Sequence, residues 1–305
     1  MIKKKIFVTG GSGFLGRHLI TKLSKNHIVY APDSKSINLL NYKDLLKVKN
    51  KFDEIYHLAA WTQAGDFCLK YPGDQWIKNQ IMNSNILMWW KEKNPNAKLI
   101  FIGTSCCYDE KGKFLEKNYL LDKPHQSLMT YAMTKKMLLQ GAISLEKQYK
   151  MKWLCVVPST LYGPNYHDDN RQQHFIFDLI KKILLAKYKG TKVKLWGNGL
   201  QKRELIHVED FINNLVKINN KVKNDLVNIG AGSSYSIKYF AKIICEIVNY
   251  DFKKIEYDRN KYVGVLNKKI SIEKVSNIIP KYKKNLIPIK KGIKQTISWY
   301  EKKFY

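Results

Sequence analysis

A short apolar run, Ile6-Phe7-Val8-Thr9, passes directly into Gly10-Gly11-Ser12-Gly13-Phe14-Leu15-Gly16, after which Leu15, Leu19 and Leu23 recur at helical spacing. Few folds accept a strand, a turn with glycine at every third position and an amphipathic helix in immediate succession. Glycines there permit the tight turn, let the backbone approach a pyrophosphate and let the helix pack closely on the strand. The helix N-terminus then faces the phosphates. This stretch predicts a dinucleotide site built around Gly10, Gly13, Phe14, Leu15 and Gly16, at the first crossover of a parallel sheet.

The following chain keeps that rhythm. Ile28–Ala31 reads as the second strand, followed by Asp33-Ser34-Lys35. An acidic residue there binds the ribose 2′-hydroxyl of NAD, whereas Ser34 and Lys35 suit the 2′-phosphate of NADP, so NADP(H) and NAD(H) both stay open. Asn38-Leu39-Leu40-Asn41 is expected to place Leu39 beside the adenine, and Tyr42 to start a helix. Glu54–Ala60 reads as a buried strand, with Ala59 and Ala60 small enough for a cofactor to pass and His57 a core histidine. Residues 61–76, with Gly65, Pro72 and Gly73, predict an irregular loop over the site. Helical spacing returns from Asn79 to Trp90, where Trp89 and Trp90 are expected to pack rather than stack on a ligand.

Leu99-Ile100-Phe101-Ile102 is the next strand and ends at Gly103-Thr104-Ser105-Cys106-Cys107-Tyr108. Open α/β sheets bind ligands at the carboxyl ends of their strands, so these small reactive side chains are candidates for chemistry. Tyr131 and Lys135 are four residues apart in a helix predicted to run to about Tyr149, which puts phenol and ammonium on one face. Trp153–Val157 makes a further strand before Leu161-Tyr162-Gly163-Pro164. Strands and helices alternating at this length specify a doubly wound parallel α/β sheet. Beyond Pro164 the rhythm changes, with a polar run to His174, a strand and turn at Val193–Gly199, and helices near Ile237–Val248 and Ile289–Tyr300. Residues 1–164, with the chain returning at about 204–230, are expected to form the dinucleotide-binding domain, and 165–305 mainly a smaller mixed α/β lobe for substrate.

The net charge of +29 raises the question of a nucleic-acid partner. Only four of the 54 basic residues are arginine (Arg17, Arg171, Arg203 and Arg259), whereas base readout leans on bidentate arginine. No nucleic-acid partner is expected; an anionic substrate would gain from the same field. No apolar run reaches the roughly 18 residues of a membrane span, and no signal peptide is expected before Ile6, so no membrane partner is predicted. Five scattered cysteines without a CxxC pair suit a reducing, cytoplasmic setting and offer no metal site.

Taken together, Gly10-x-x-Gly13-x-x-Gly16, His57-Leu58-Ala59-Ala60, Tyr131-x-x-x-Lys135, Leu161-Tyr162-Gly163-Pro164, Arg203-Glu204-x-x-His207-Val208-x-Asp210 and Asn228-Ile229-Gly230 resemble the extended short-chain dehydrogenase/reductase family over nearly the whole chain. The resemblance implies a Rossmann-type fold, a nicotinamide cofactor contacted also at Pro158, and a homodimer. Gly103-Thr104-Ser105-Cys106-x-Tyr108, His174 ten residues past Pro164, and Trp196-Gly197-x-Gly199 before Arg203-Glu204 are most similar to the family's epimerase/reductases of GDP-4-keto-6-deoxy sugars. That branch usually carries His-Arg where Gly11-Ser12 stand and an arginine near Ser34.

What the resemblance implies chemically is twofold. In reduction of a 4-keto group, Tyr131 is the acid/base, Lys135 lowers its pKa and holds the nicotinamide ribose, and Thr104 hydrogen-bonds the carbonyl oxygen. In epimerisation, protons α to the ketone leave and return with Cys106 and His174 as base and acid from opposite lobes. Lys182 and Arg203 are the candidates for the substrate diphosphate, and Trp196 for the nucleotide pocket, packing being nearly as good a role for it. The expected function is 3,5-epimerisation and NAD(P)H-dependent 4-keto reduction of a GDP-4-keto-6-deoxy sugar. The alternative is an NAD-dependent 4-epimerase, or a 4-keto reductase/epimerase acting on another GDP-sugar such as a heptose.

Overall fold

The computed structural model describes residues 2–169, 171–260 and 265–305. Strands β1 (Lys5–Thr9), β2 (Ile28–Tyr30), β3 (Glu54–His57), β4 (Lys98–Ile102) and β5 (Lys152–Pro158) are joined through α1 (Phe14–Leu23), α2 (Tyr42–Leu46), α3 (Phe67–Lys70), α4 (Pro72–Lys93) and α5 (Met129–Tyr149). Then come β6 (Thr160–Tyr162), α6 (Phe175–Lys189), β7 (Val193–Trp196), β8 (Lys202–His207), α7 (Val208–Lys221) and β9 (Asp225–Ile229). The chain closes through β10 (Ser234–Ser236), α8 (Ile237–Val248), β11 (Ile255–Asp258), β12 (Asn267–Lys268), α9 (Glu273–Ile278) and α10 (Ile289–Phe304).

The main sheet has the order β2-β1-β3-β4-β5-β9, every pair parallel. Its central strands are apolar over most of their length because both faces are covered. One face packs Phe7, Ile55, Leu99 and Phe101 against Trp89 and Trp90 of α4 and Leu138 of α5. The other packs Ile6, Val8, Ile100 and Val156 against α1 and α7 through Leu19, Phe211 and Leu215. Both tryptophans are fully buried, so the packing role expected of them holds. A third cluster joins α6, α8 and α10 through Ile180, Phe240 and Ile297.

The chain crosses between the two halves more than once. β6 already pairs with β8 in a second sheet of order β10-β8-β12, while α7 and β9 return to the main sheet. The region expected as a loop from 61 to 76 differs: α4 starts at Pro72, within it. Proline suits the first turn of a helix, where its missing N–H has no partner to lose, so Pro72 opens the helix instead of breaking it. No helix among the described residues is long and apolar enough to cross a membrane.

Candidate active site

Gly10, at the end of β1, takes φ +69°, and a Cβ there would lie 2.7 Å from the Ala59 nitrogen. A Cβ on Gly16 would lie 2.2 Å from the Gly10 oxygen, so α1 can approach the loop only with glycine at that position. Gly13 caps α1 without a side-chain hydrogen bond, and no acidic residue occupies the first turn formed by Phe14 and Leu15. Uncovered helix N–H groups above a backbone cradle fit a dinucleotide pyrophosphate.

Three contacts tie this cradle to the second half, and the sequence did not reveal them. Arg17 donates from Nη1 to the Ser12 carbonyl at 2.7 Å and from Nη2 to the Asn165 carbonyl at 2.5 Å. His18 Nε2 lies 2.9 Å from the Pro164 oxygen. The Phe14 ring packs edge-on against Tyr166 and Phe177. Pro164, which ends the Leu161-Tyr162-Gly163-Pro164 motif, and the residues after it thus anchor the glycine loop and the start of α1.

At the adenine end, Asp33 Oδ1 accepts from Lys35 N at 3.1 Å and from Ser36 N and Oγ at 2.8 Å. These bonds, led by the Ser36 hydroxyl, lower its pKa. One carboxylate oxygen is thus occupied in shaping its own turn, while Ser34 and Lys35 are exposed beside it. The Leu39 side chain is buried in the main core, a correction to its expected place beside the adenine; its carbonyl accepts from Asn85 Nδ2 at 2.8 Å.

His57 is wholly buried, as expected of a core residue. Asn83 donates from Nδ2 to the Thr134 carbonyl at 3.2 Å, so its Oδ1 faces His57 Nε2 at 3.1 Å and must accept. The imidazole therefore carries its proton on Nε2, and Nδ1 accepts from the Thr9 hydroxyl at 2.8 Å. Burial and the nearby Lys135 push the His57 pKa down to about 4, which keeps it neutral. Thr9 Oγ1 accepts in turn from the Ala59 N–H at 3.3 Å. This relay fixes Ala59 and Ala60 relative to α5.

β4 delivers the reactive residues. The Thr104 N–H donates to the Tyr119 hydroxyl at 3.1 Å, and Thr104 Oγ1 accepts from the Cys106 N–H at 3.3 Å, capping a 3₁₀ turn over Ser105–Cys107. With its oxygen so engaged, the Thr104 hydroxyl still has its proton to donate. The tight turn aims the two thiols in different directions. Cys107 is fully buried, donates to the Ala132 carbonyl at 3.3 Å, and is pushed up to about 12 by burial. Cys106 is only partly buried, and its sulfur lies 3.3 Å from Lys268 Nζ. The doublet therefore divides into a packed residue and a partly exposed one.

The first turns of α5 present Tyr131 and Lys135, with the Lys135 Nζ 5.8 Å from the Tyr131 ring centre. Lys135 is buried, which lowers its pKa to about 8 against the opposing pull of Cys155 and Cys107. Contrary to expectation, the Tyr131 pKa is raised, first by burial and then by Cys106, Cys107 and Cys68. At 5.8 Å the ammonium does not overcome those effects. Tyr131 is thus held as the neutral phenol, the form that donates a proton to a nascent alkoxide.

His174 stands at the N-cap of α6 yet makes no capping hydrogen bond, so its ring is left for other work. Water reaches it, while the surrounding protein, Lys268 and His167 together lower its pKa. Lys182 sits two turns into α6, paired with Asp178 at 2.7 Å; a diphosphate would have to displace that partly exposed contact. Trp196 is 57% exposed, so much of its surface is open to solvent. Arg203 Nη1 donates to the carbonyls of Lys202 at 2.8 Å and Val265 at 2.6 Å, so part of its guanidinium holds the chain. Pro158 closes β5, where the Ser159 N–H donates to the Ile229 carbonyl at 3.3 Å. Lys268 and Cys68 were not foreseen: nothing in their local sequence distinguishes them, and only the fold brings them to Cys106.

Comparison with known proteins agrees with this geometry. The family model for the NAD dependent epimerase/dehydratase family matches residues 6–230. GDP-L-colitose synthase from Yersinia pseudotuberculosis is 26% identical over 311 residues, covering 97% of each chain. Among solved structures, a GDP-L-fucose synthetase from Naegleria fowleri bound to NADP has a TM-score of 0.86 at 22% identity, covering 100% of this chain and 96% of that one. A GDP-6-OMe-4-keto-L-xylo-heptose reductase from C. jejuni has a TM-score of 0.87 at 20% identity, covering 99% and 98%. Those two share the fold. With the glycine cradle, the helix bearing Tyr131 and Lys135 and the match over residues 6–230 in agreement, the chain belongs to the NAD dependent epimerase/dehydratase family.

Proposed function

We propose that this protein is an NAD(P)(H)-dependent epimerase/reductase acting on a GDP-4-keto-6-deoxy sugar. The observation that carries the reading is the separation of the thiols: Cys106 is accessible beside Tyr131, while Cys107 is packed away. The printed activities of the relatives, GDP-L-colitose and GDP-L-fucose synthases, support the same sugar class.

A bound nicotinamide supplies hydride to the sugar C4. Its pyrophosphate would rest on Gly10, Gly13 and the Phe14 end of α1, with Gly16 letting the helix close in. Asp33, Ser34 and Lys35 would face the adenosine ribose, and Ala59, Ala60 and Pro158 the path toward Lys135. Thr104 donates to the ketone oxygen, and Tyr131 protonates it as charge develops. At the carbons α to the ketone, Cys106 and His174 exchange protons on opposite faces of the ring. The exposed Trp196 stacks on the guanine, and Arg203 with Lys182 holds the diphosphate. Residues 1–164 with 204–230 serve the cofactor, and the remainder serves the sugar nucleotide.

The protein acts as a cytoplasmic homodimer in this reading. All five cysteines are free, and Ile77, Ile81 and Met88 on α4, with Met137 on α5, are exposed apolar residues on two helices that pack together. The test is incubation with a GDP-4-keto-6-deoxy sugar and either reduced nicotinamide in deuterated water. Cofactor oxidation with deuterium entering the α-carbons is expected, and Cys106→Ser should slow exchange more than hydride transfer to a ketone that does not epimerise. No oxidation with either cofactor would sink the proposal. A second reading, reduction of a GDP-heptose without epimerisation, draws on the heptose reductase that shares the fold; it predicts oxidation without deuterium uptake.

A further inference from the structure

The short strand β12 is fixed from every side. It runs parallel to β8, with Lys268 opposite Arg203. Before it, the Val265 carbonyl accepts from Arg203 and the Leu266 carbonyl from the Lys202 N–H at 2.7 Å. Beside it, Ser234 Oγ donates to Asn267 Oδ1 at 3.0 Å, and after it the Ile270 N–H donates to the buried Glu204 carboxylate at 2.8 Å. A lysine on a strand so held is not a wandering surface charge. Its Nζ lies 3.3 Å from Cys106 Sγ.

We propose that Lys268 is a positioning residue for the proton chemistry, its ammonium holding the Cys106 sulfur as the thiolate that lifts the α-proton. This rests on Cys106 and His174 being the proton-transfer pair. Among the described residues, the other side chains that act on the sulfur from neighbouring elements carry no such charge. Cys68 from α3, Cys107 from the same turn and Tyr131 from α5 all have raised pKa values, each led by burial, and stay neutral. Lys135 lies deeper, nearer Cys155 and Cys107. Lys268 also acts on the far side of the cleft, where its charge adds to burial in lowering the His174 pKa. In the step, the carbon–hydrogen bond breaks, the proton joins the Cys106 sulfur and the electron pair enters the enolate. A solvent proton then reaches the opposite face by way of the neutral His174 ring, and exchange with solvent resets both groups.

The test is the pH profile of Cys106 alkylation by iodoacetamide, followed by peptide mass spectrometry, which needs neither sugar nor cofactor. Lys268→Met should slow Cys106 alkylation at pH 7 about tenfold and move the profile to higher pH, since one unit in thiol pKa is tenfold in thiolate. Lys268→Arg should restore much of the rate, and buried Cys245 should react alike in every variant. Identical Cys106 profiles for the unaltered protein and Lys268→Met would overturn the proposal; Lys268→Gln gives the same comparison if the methionine variant does not fold. Absence of deuterium exchange in the unaltered protein would count against the epimerase reading, whereas the alkylation profiles alone decide on Lys268.

Discussion

Glu204 is the group whose behaviour most directly tests the packing around the site. Its carboxylate accepts the Gly232 N–H at 2.6 Å and the Ile270 N–H at 2.8 Å, and it is 2% exposed. Burial outweighs those donors and raises its pKa from 4.5 to about 7. A carboxyl with a raised folded pKa stabilises most below its unfolded pKa, and the benefit is lost as pH rises through the folded value. Between pH 5 and 8 that displacement amounts to roughly 2.5 kcal/mol of lost stability. Glu204→Gln cannot titrate, and its lost N–H bond is a pH-independent offset. Urea unfolding of both proteins across that range should therefore show the unaltered protein losing roughly 2.5 kcal/mol relative to Glu204→Gln as pH rises, with other titrations cancelling in the difference. Parallel curves would mean that burial and the N–H donors balance. A relative gain with rising pH would mean that the donors win, and the reasoning would be refuted.

Gly16→Ala should destabilise the fold by about 1–3 kcal/mol, because its Cβ meets backbone that has no flexible end to give way, and should weaken NADPH binding measured by fluorescence. Trp196→Ala should raise KM for the nucleotide sugar roughly three- to tenfold with kcat little changed, as loss of one stacked ring implies; an unchanged KM would detach Trp196 from the substrate. Ile77→Asp combined with Ile81→Asp should shift sedimentation from dimer to monomer without lowering the melting temperature of the monomer; an unchanged sedimentation coefficient would remove α4 from the interface.

The sequence carried the main sheet because its determinants are local. Apolar runs, the glycine turn and helical periodicity each act within a dozen residues, and Tyr131 and Lys135 need only one helix to meet. Where the reading failed, the competing interaction was distant. Pro72 looked like a loop residue until α4 placed it at a first turn, and Leu39 looked like an adenine contact until the core took its side chain. The pKa of Tyr131 could not be read from its spacing to Lys135, because burial and three thiols from other elements decide its direction. Trp196 could be assigned to packing or to a pocket until its exposure was known.

Lys268 shows why some site residues leave no local trace. Nearly all the basic residues are lysine, and Lys268 ends a two-residue strand with Lys269 just after it, so neither composition nor periodicity marks it. Its position is specified instead by β8, through the Arg203 and Glu204 that the sequence suggested for the sugar nucleotide. Glu204 holds the backbone after β12 and Arg203 the backbone before it. The motif therefore has a second physical task, which is to present a cation from the second lobe to a sulfur delivered by the main sheet. Loss of Glu204's grip on the backbone after β12 should then alter Cys106 reactivity as well as stability, because the same backbone carries the lysine that meets the sulfur.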